Sequence, residues 1–226
     1  MGNHKKRIIV LDVEGMSGKR PYDIGYIVAD LKGNIFIERS FACMPAIMEN
    51  LSGAIRTAEK YVRDMTHKNI SEILQTPSKY KWSMDNDIKQ TLVNDIIENK
   101  VSEIWAYNCN FDKGMITKLC GDLGVNVIWL DIWSAIVMTK CLTKKYVKFC
   151  RENGFITEKG NCKTSAEVVY RYLFNEVGFE EEHTGLSDTK IEYKILLTAK
   201  KTKKKIDGTL KQPWKIVKKF CESNDL

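Results

Sequence analysis

At 226 residues, with 43% apolar and 29% charged positions, the chain is long enough to fill one hydrophobic core and has the balance of an ordinary globular protein rather than a disordered or membrane-embedded one. No apolar run reaches the roughly 18 residues of a membrane span. The net charge of +7 is unevenly spread: residues 1–199 carry 27 Lys+Arg against 26 Asp+Glu, and residues 200–226 carry nine lysines against three acids.

The opening Met-Gly-Asn-His-Lys-Lys-Arg leads straight into a strand-like run without the apolar stretch of a secretory signal, and Lys6 stands where a myristoylation signal needs Ser or Thr. Seven scattered cysteines without a Cys-x-x-Cys pair point to free thiols in a reducing compartment, against a disulfide framework or a zinc ribbon. A cytoplasmic location is expected, with one domain over 1–199 and a lysine-rich tail over 200–226. Such a tail suits a polyanion, since each phosphate contact releases counterions; a merely solvated tail is the alternative.

Arg7 to Val13 is continuously apolar and β-branched, the pattern of a buried central strand, and Asp12 and Glu14 stand at its end. After a loop from Gly15 to Pro21, the runs Ile24–Ala29 and Ile35–Cys43 flank Asp30-Leu-Lys-Gly-Asn34 and predict an antiparallel hairpin. Met48 to Leu74 reads as mainly helical, with Ile55, Ala58 and Val62 at helical spacing, until Pro77 breaks it. Ile88, Leu92 and Ile96 recur at four-residue steps and predict a helix over Asp85–Lys100. Glu103–Tyr107 is a short strand, Met115, Leu119 and Leu123 mark a helix, and Val127–Leu130 is a further strand. Helices are expected at Ile132–Thr139, Tyr146–Asn153, Ser165–Asn175 and Asp188 to about Lys200. Thr164-Ser-Ala-Glu167 matches a capping box. The fold class is α/β, a mixed sheet flanked by helices, and in such sheets side chains at the carboxyl ends of adjacent strands share one crevice.

Asp12 and Glu14, two residues apart on a strand, point to one face, where paired carboxylates are costly unless a cation lies between them. Mg²⁺ and Mn²⁺ favour such oxygen ligands. Asp112 begins a helix, a position the helix dipole favours for any carboxylate. His183 precedes the helical Asp188 by five residues, and an imidazole there is suited to take a proton from water near neutrality. Singly, each has a plain reading: a surface pair, a helix-terminus charge, an exposed loop histidine.

Together, Asp12-Val-Glu14, Asn108-Cys-Asn-Phe-Asp112 and His183 with Asp188 resemble the three motifs of the DEDDh branch of the DnaQ-like 3′→5′ exonucleases, over roughly residues 7 to 199. Asp23-Ile-Gly-Tyr-Ile-Val-Ala-Asp30 is similar to the second strand of that family, and Ala106 precedes the Asn-x-x-Phe-Asp group as it does there. The resemblance implies a ribonuclease H-like fold with a five-stranded mixed sheet, and two-metal hydrolysis releasing 5′-mononucleotides. It further implies that Asp12, Glu14, Asp112 and Asp188 hold two Mg²⁺ or Mn²⁺ ions, with His183 and Glu14 in the chemistry. Gly15, Met16, Tyr107 and Asn108 would lie beside the terminal nucleotide, with Met16 or Tyr107 packing on a base. The partner would be DNA or RNA with a free 3′ end, single-stranded for preference, with no membrane; homodimers also occur in the superfamily.

The chain departs from the pattern at Gly15, where the family usually has Thr or Ser, and at Thr184-Gly185, where a bulkier polar residue and then Ala are usual. Residues 143–182 match no subfamily. The competing reading is a catalytically silent nucleic-acid-binding or scaffolding protein with the same fold.

Overall fold

The computed structural model describes residues 6–15, 19–51, 60–202, 206, 208–210 and 212–223. Strands β1 (Arg7–Glu14), β2 (Asp23–Asp30) and β3 (Ile35–Cys43) are followed by helices α1 (Met44–Leu51) and α2 (Lys60–Gln75). Next come β4 (Lys81–Ser83), α3 (Asp85–Glu98), β5 (Glu103–Ala106), α4 (Cys109–Cys120) and β6 (Ile128–Asp131). Helices α5 (Ile132–Ile136), α6 (Lys144–Glu152), α7 (Ala166–Phe174), α8 (Gly185–Lys200) and α9 (Pro213–Glu222) complete the order.

One six-stranded sheet runs β4-β3-β2-β1-β5-β6. The β1–β2 and β2–β3 pairs are antiparallel, whereas β5 lies parallel to β1, β6 to β5 and β4 to β3. Alternate residues of β1 therefore face opposite layers. Ile8 and Val10 join Ile132, Val147, Val169, Ile191, Ile195 and Val217 from α5 to α9. Ile9, Leu11 and Val13 join Ile47, Ile73, Leu92 and Ile116 from α1 to α4. A strand buried on both faces reads as a continuous apolar run, which is why β1 is legible in the sequence.

The expected α/β class, the hairpin and the free cysteines agree with the structure: β2 and β3 pair antiparallel, the Asp30 carboxylate accepts from Lys32 and Asn34 backbone N–H groups in the turn, and all seven thiols are free, six of them buried. The sheet has six strands where five are expected. The added strand, Lys81-Trp82-Ser83, has only three residues, too few to show a period, and only its pairing with Phe41–Cys43 defines it. The helix expected over Met48–Leu74 is two helices, Met44–Leu51 and Lys60–Gln75; Ile55 and Ala58 lie outside the described residues.

The capping box does not form. Ser165 is the N-cap of α7 without a side-chain bond; the Thr164 hydroxyl instead accepts from Trp133 Nε1 at 2.9 Å, and Glu167 pairs with Arg171. A tertiary donor outcompetes the local cap. The helix expected from Asp188 starts at Gly185. Within the lysine-rich segment, α9 packs on the body: Val217 is 1% exposed, and the Gly208 and Leu210 carbonyls accept from Asp131 N–H and Ser134 Oγ. No helix among the described residues is long and apolar enough to cross a membrane.

Candidate active site

Asp12 and Glu14 project from the carboxyl-terminal end of β1 on the layer side where Ile8 and Val10 meet α8. Val13 between them is buried in the opposite layer, so the strand's two-residue period alone puts both carboxylates toward α8.

Asp188 is carried in by a close approach of backbones. The first residue of α8, Gly185, lies against Gly25 of β2: a Cβ on Gly25 would stand 2.0 Å from the Gly185 carbonyl carbon, and one on Gly185 would stand 2.5 Å from the Gly25 nitrogen. Only glycine fits at both positions. The Asp23 carboxylate accepts from Gly185 N–H at 3.0 Å, and Thr189 Oγ1 donates to the Gly25 carbonyl. Helix α8 is thus pinned by its amino end to β2, beside the end of β1. The departure from the family pattern at Gly185 has this steric reason. At Gly15 the restriction is weaker, since a Cβ there would stand 2.3 Å from Met115 Cε, the movable end of a side chain, and 3.1 Å from Pro21 Cα.

His183 sits in the loop before α8 with a left-handed backbone, φ 55°, which costs a non-glycine residue about 1–2 kcal/mol. Its backbone N–H donates to the Asp188 carboxylate. The ligand-type atoms of Glu14, His183 and Asp188 all lie within 4.8 Å of one another. Asp112, in the first turn of α4, is fixed differently: its Oδ1 accepts from Val13 N–H at 3.3 Å, which ties α4 to β1 between the two β1 carboxylates. Asn108 before α4 is also left-handed, φ 62° and ψ 46°, a conformation asparagine tolerates better than most residues.

The structure therefore brings together all five residues expected at the centre. Asp12 and Asp112 stand outside the tight trio and feel its charges. Burial, and then the charges of Glu192, Glu14, Asp112 and Asp188, hold the Asp12 carboxyl well above the usual carboxylate range. Burial and the Asp188 charge push Glu14 up to about 9, and burial followed by Glu181 pushes Asp188 up to about 8. Asp112 is raised mainly by burial, against the Val13 hydrogen bond that lowers it.

Glu192 is a fifth acid at this centre, and it is absent from the set expected from sequence. It is 4% exposed, its carboxyl is raised by burial and then by Asp112 and Asp188, and its Oε2 accepts from Tyr107 N–H. A sequence signal for it exists: it follows Asp188 by four residues and so shares that helix face. Asp131, at the end of β6, is also outside the expected set; its Oδ1 accepts from Asn108 N–H at 3.1 Å and from Trp133 N–H at 2.8 Å.

The donor set fits hard divalent cations. Asp12 Oδ2, Asp112 Oδ2 and Asp188 Oδ1 are buried without a hydrogen-bond partner, and among the described residues no Lys or Arg forms an ion pair with Asp12, Glu14, Asp112, Asp188 or Glu192. Buried carboxylates without counter-charge are costly. A bound cation would satisfy the orphaned oxygens and relieve the repulsion together.

Of the residues expected to contact a nucleotide, Gly15 borders the centre, and Tyr107 and Asn108 line an adjoining cavity. The Tyr107 ring is stacked on Trp133 and its hydroxyl donates to the Thr164 carbonyl. Met16 lies outside the described residues. The chain matches no protein-family model and no curated protein, so its likeness to the DEDDh exonucleases rests on the sequence features given above.

Proposed function

We propose that the protein is a metal-dependent 3′→5′ exonuclease of DNA or RNA, with a ribonuclease H-like fold. The observation that carries this reading is the convergence of Glu14, His183 and Asp188 within 4.8 Å, beside the orphaned oxygens of Asp12 and Asp112, at the carboxyl end of parallel strands. Five groups named from separate sequence motifs meet in one crevice, in a chemistry suited to divalent cations.

In this reading Asp12, Glu14, Asp112 and Asp188 would hold two Mg²⁺ or Mn²⁺ ions, which when bound supply Lewis acidity and acidify coordinated water. His183 takes the proton of the attacking water at an imidazole nitrogen, and its loop position lets it follow the scissile phosphate. Glu14, next to both His183 and Asp188, orients that water and keeps the imidazole turned toward it. Asp131 holds the Asn108 backbone N–H, so the turn between β5 and α4 is set before a nucleotide arrives, and pre-positioning of this kind lowers the entropic part of the barrier.

The experiment is a substrate panel with Mg²⁺ or Mn²⁺: single-stranded and duplex DNA, RNA and dinucleotides, each with a free or a 3′-phosphorylated end. Release of 5′-mononucleotides from free 3′ ends supports the reading. Binding of these strands without hydrolysis would instead support the catalytically silent alternative.

A further inference from the structure

Beside the acidic cluster runs a cavity of about 890 Å³ built from parts of the chain that no motif explains: the 156–166 segment, Trp133 at the start of α5, and Trp214 of α9. Its volume falls in the range of ligand pockets, roughly 300–1,000 Å³. Tyr107 and Trp133 form a floor, their rings 6.2 Å apart and 18° from parallel. Thr164 fixes that floor from below by accepting Tyr107 Oη–H through its carbonyl and Trp133 Nε1–H through its hydroxyl. Trp214 lines the same cavity with 40% of its surface exposed, and the exposed Lys159 and Lys163 border the same space.

We propose that this groove binds single-stranded nucleic acid, holding the nucleotides on the 5′ side of the scissile bond, an inference that rests on the exonuclease reading. Three observations select this occupant. Aromatic faces at floor and wall offer stacking to bases of any sequence, and lysines at the rim offer charge to phosphates, the combination that single-strand binders use. The groove adjoins the acidic cluster, since its lining residue Tyr107 donates its backbone N–H to Glu192, and the next lining residue, Asn108, donates to Asp131. A strand emerging from the catalytic crevice therefore meets Asn108 and Tyr107 first and the tryptophans beyond. The other large cavity, lined in part by α8, balances Lys68, Lys79 and Lys190 against Glu72, Glu181 and Glu182 and has Tyr80 as its single aromatic side chain, so it offers bases far less to stack on.

The test is fluorescence anisotropy of a labelled 12-nucleotide single strand on the full chain in EDTA, where no hydrolysis occurs. Trp214→Ala is expected to weaken binding about tenfold, the scale of one lost stacking contact. Lys159→Glu with Lys163→Glu is expected to do the same and to flatten the dependence of log affinity on log salt by about 1.4, two single-strand phosphate contacts. Both lysines are exposed, so that variant folds even if the loss of Trp214 disturbs α9. A wild-type protein that fails to bind the strand, or variants that bind it as tightly as wild type, overturns the groove. Hydrolysis of a dinucleotide, measured in parallel, tests the exonuclease reading separately, because a dinucleotide leaves the far part of the groove empty. Should wild type hydrolyse it and the variants bind the 12-nucleotide strand undiminished, the groove fails and the activity stands.

Discussion

Gly185 rests against Gly25 with no room for a methyl group between the first turn of α8 and β2, and this contact decides where Asp188 and His183 lie. Alanine at either position must push the helix off the sheet. We expect Gly25→Ala and Gly185→Ala each to destabilise by about 3 kcal/mol, the upper end of overpacking, and to lose activity with it. Gly114, inside α4 with nothing within 4 Å of the place a Cβ would take, is the control: Gly114→Ala should stabilise by about 0.5–1 kcal/mol. Urea midpoints of the three variants check both directions.

Divalent ions should matter most for stability at high pH. The Glu14 carboxyl is raised from 4.5 to about 9 and Asp188 from 3.8 to about 8, so the folded protein binds more protons than the unfolded chain between these values. That stability is fully present below about pH 4 and is lost as pH rises toward 9. Thermal unfolding in EDTA should therefore occur at falling temperature from pH 5 to pH 9. Mn²⁺ held at about a hundred times its Kd at neutral pH should restore about 2.7 kcal/mol there, and the same concentration should restore more at the alkaline end, where the carboxylates are ionised and the Kd is lower.

Glu192→Gln keeps an acceptor for Tyr107 N–H and removes one buried ionisable group, with its cost of either ionising or holding a proton, from the set around Asp12. We expect the variant to be more stable than wild type in EDTA by on the order of 1 kcal/mol, or about 2–4 °C in Tm for a chain of this size, and to bind Mn²⁺ more weakly. Differential scanning calorimetry with and without Mn²⁺ measures the two effects.

His183 combines a proton-transfer role with a strained backbone. His183→Ala should fold and lose about 10²–10⁴ in kcat. Because φ is 55° at this residue, His183→Gly should lose the same activity and yet exceed His183→Ala in stability by about 1 kcal/mol. Denaturant melts and single-turnover rates on one oligonucleotide separate the two contributions.

The five central residues are legible in the sequence as a set, through the joint order of three motifs and the family they resemble; the local rules alone, a two-residue period on β1, a helix start after β5 and a loop-to-helix turn before α8, leave each with a plainer reading. Glu192 is legible in principle from its four-residue spacing to Asp188. The Gly25–Gly185 contact is not, since 160 residues of chain separate the two and nothing local marks which glycines will meet. Nor is α9, whose lysines read as a solvated tail while Val217 and Phe220 mark a buried face three residues apart.

That packing changes what truncation should do. Removing residues 200–226 strips Val217 from its core and takes away the acceptors of Asp131 N–H and Ser134 Oγ. We expect the truncated chain to lose several kcal/mol, from apolar burial and orphaned polar groups together, rather than merely to bind nucleic acid more weakly. Val217→Ala, at about 2 kcal/mol, is the milder probe, read by its urea midpoint.

The most direct measurement of the central claim is a time course on 5′-labelled single-stranded DNA and RNA with wild type and Asp188→Asn, each in Mn²⁺ and in EDTA. The account predicts a ladder shortening one nucleotide at a time from the 3′ end in Mn²⁺ alone, with Asp188→Asn slower by at least about 10³ because such groups act as a unit. Full-length substrate left intact by wild type in Mn²⁺, or an Asp188→Asn variant that degrades it at the wild-type rate, would contradict it.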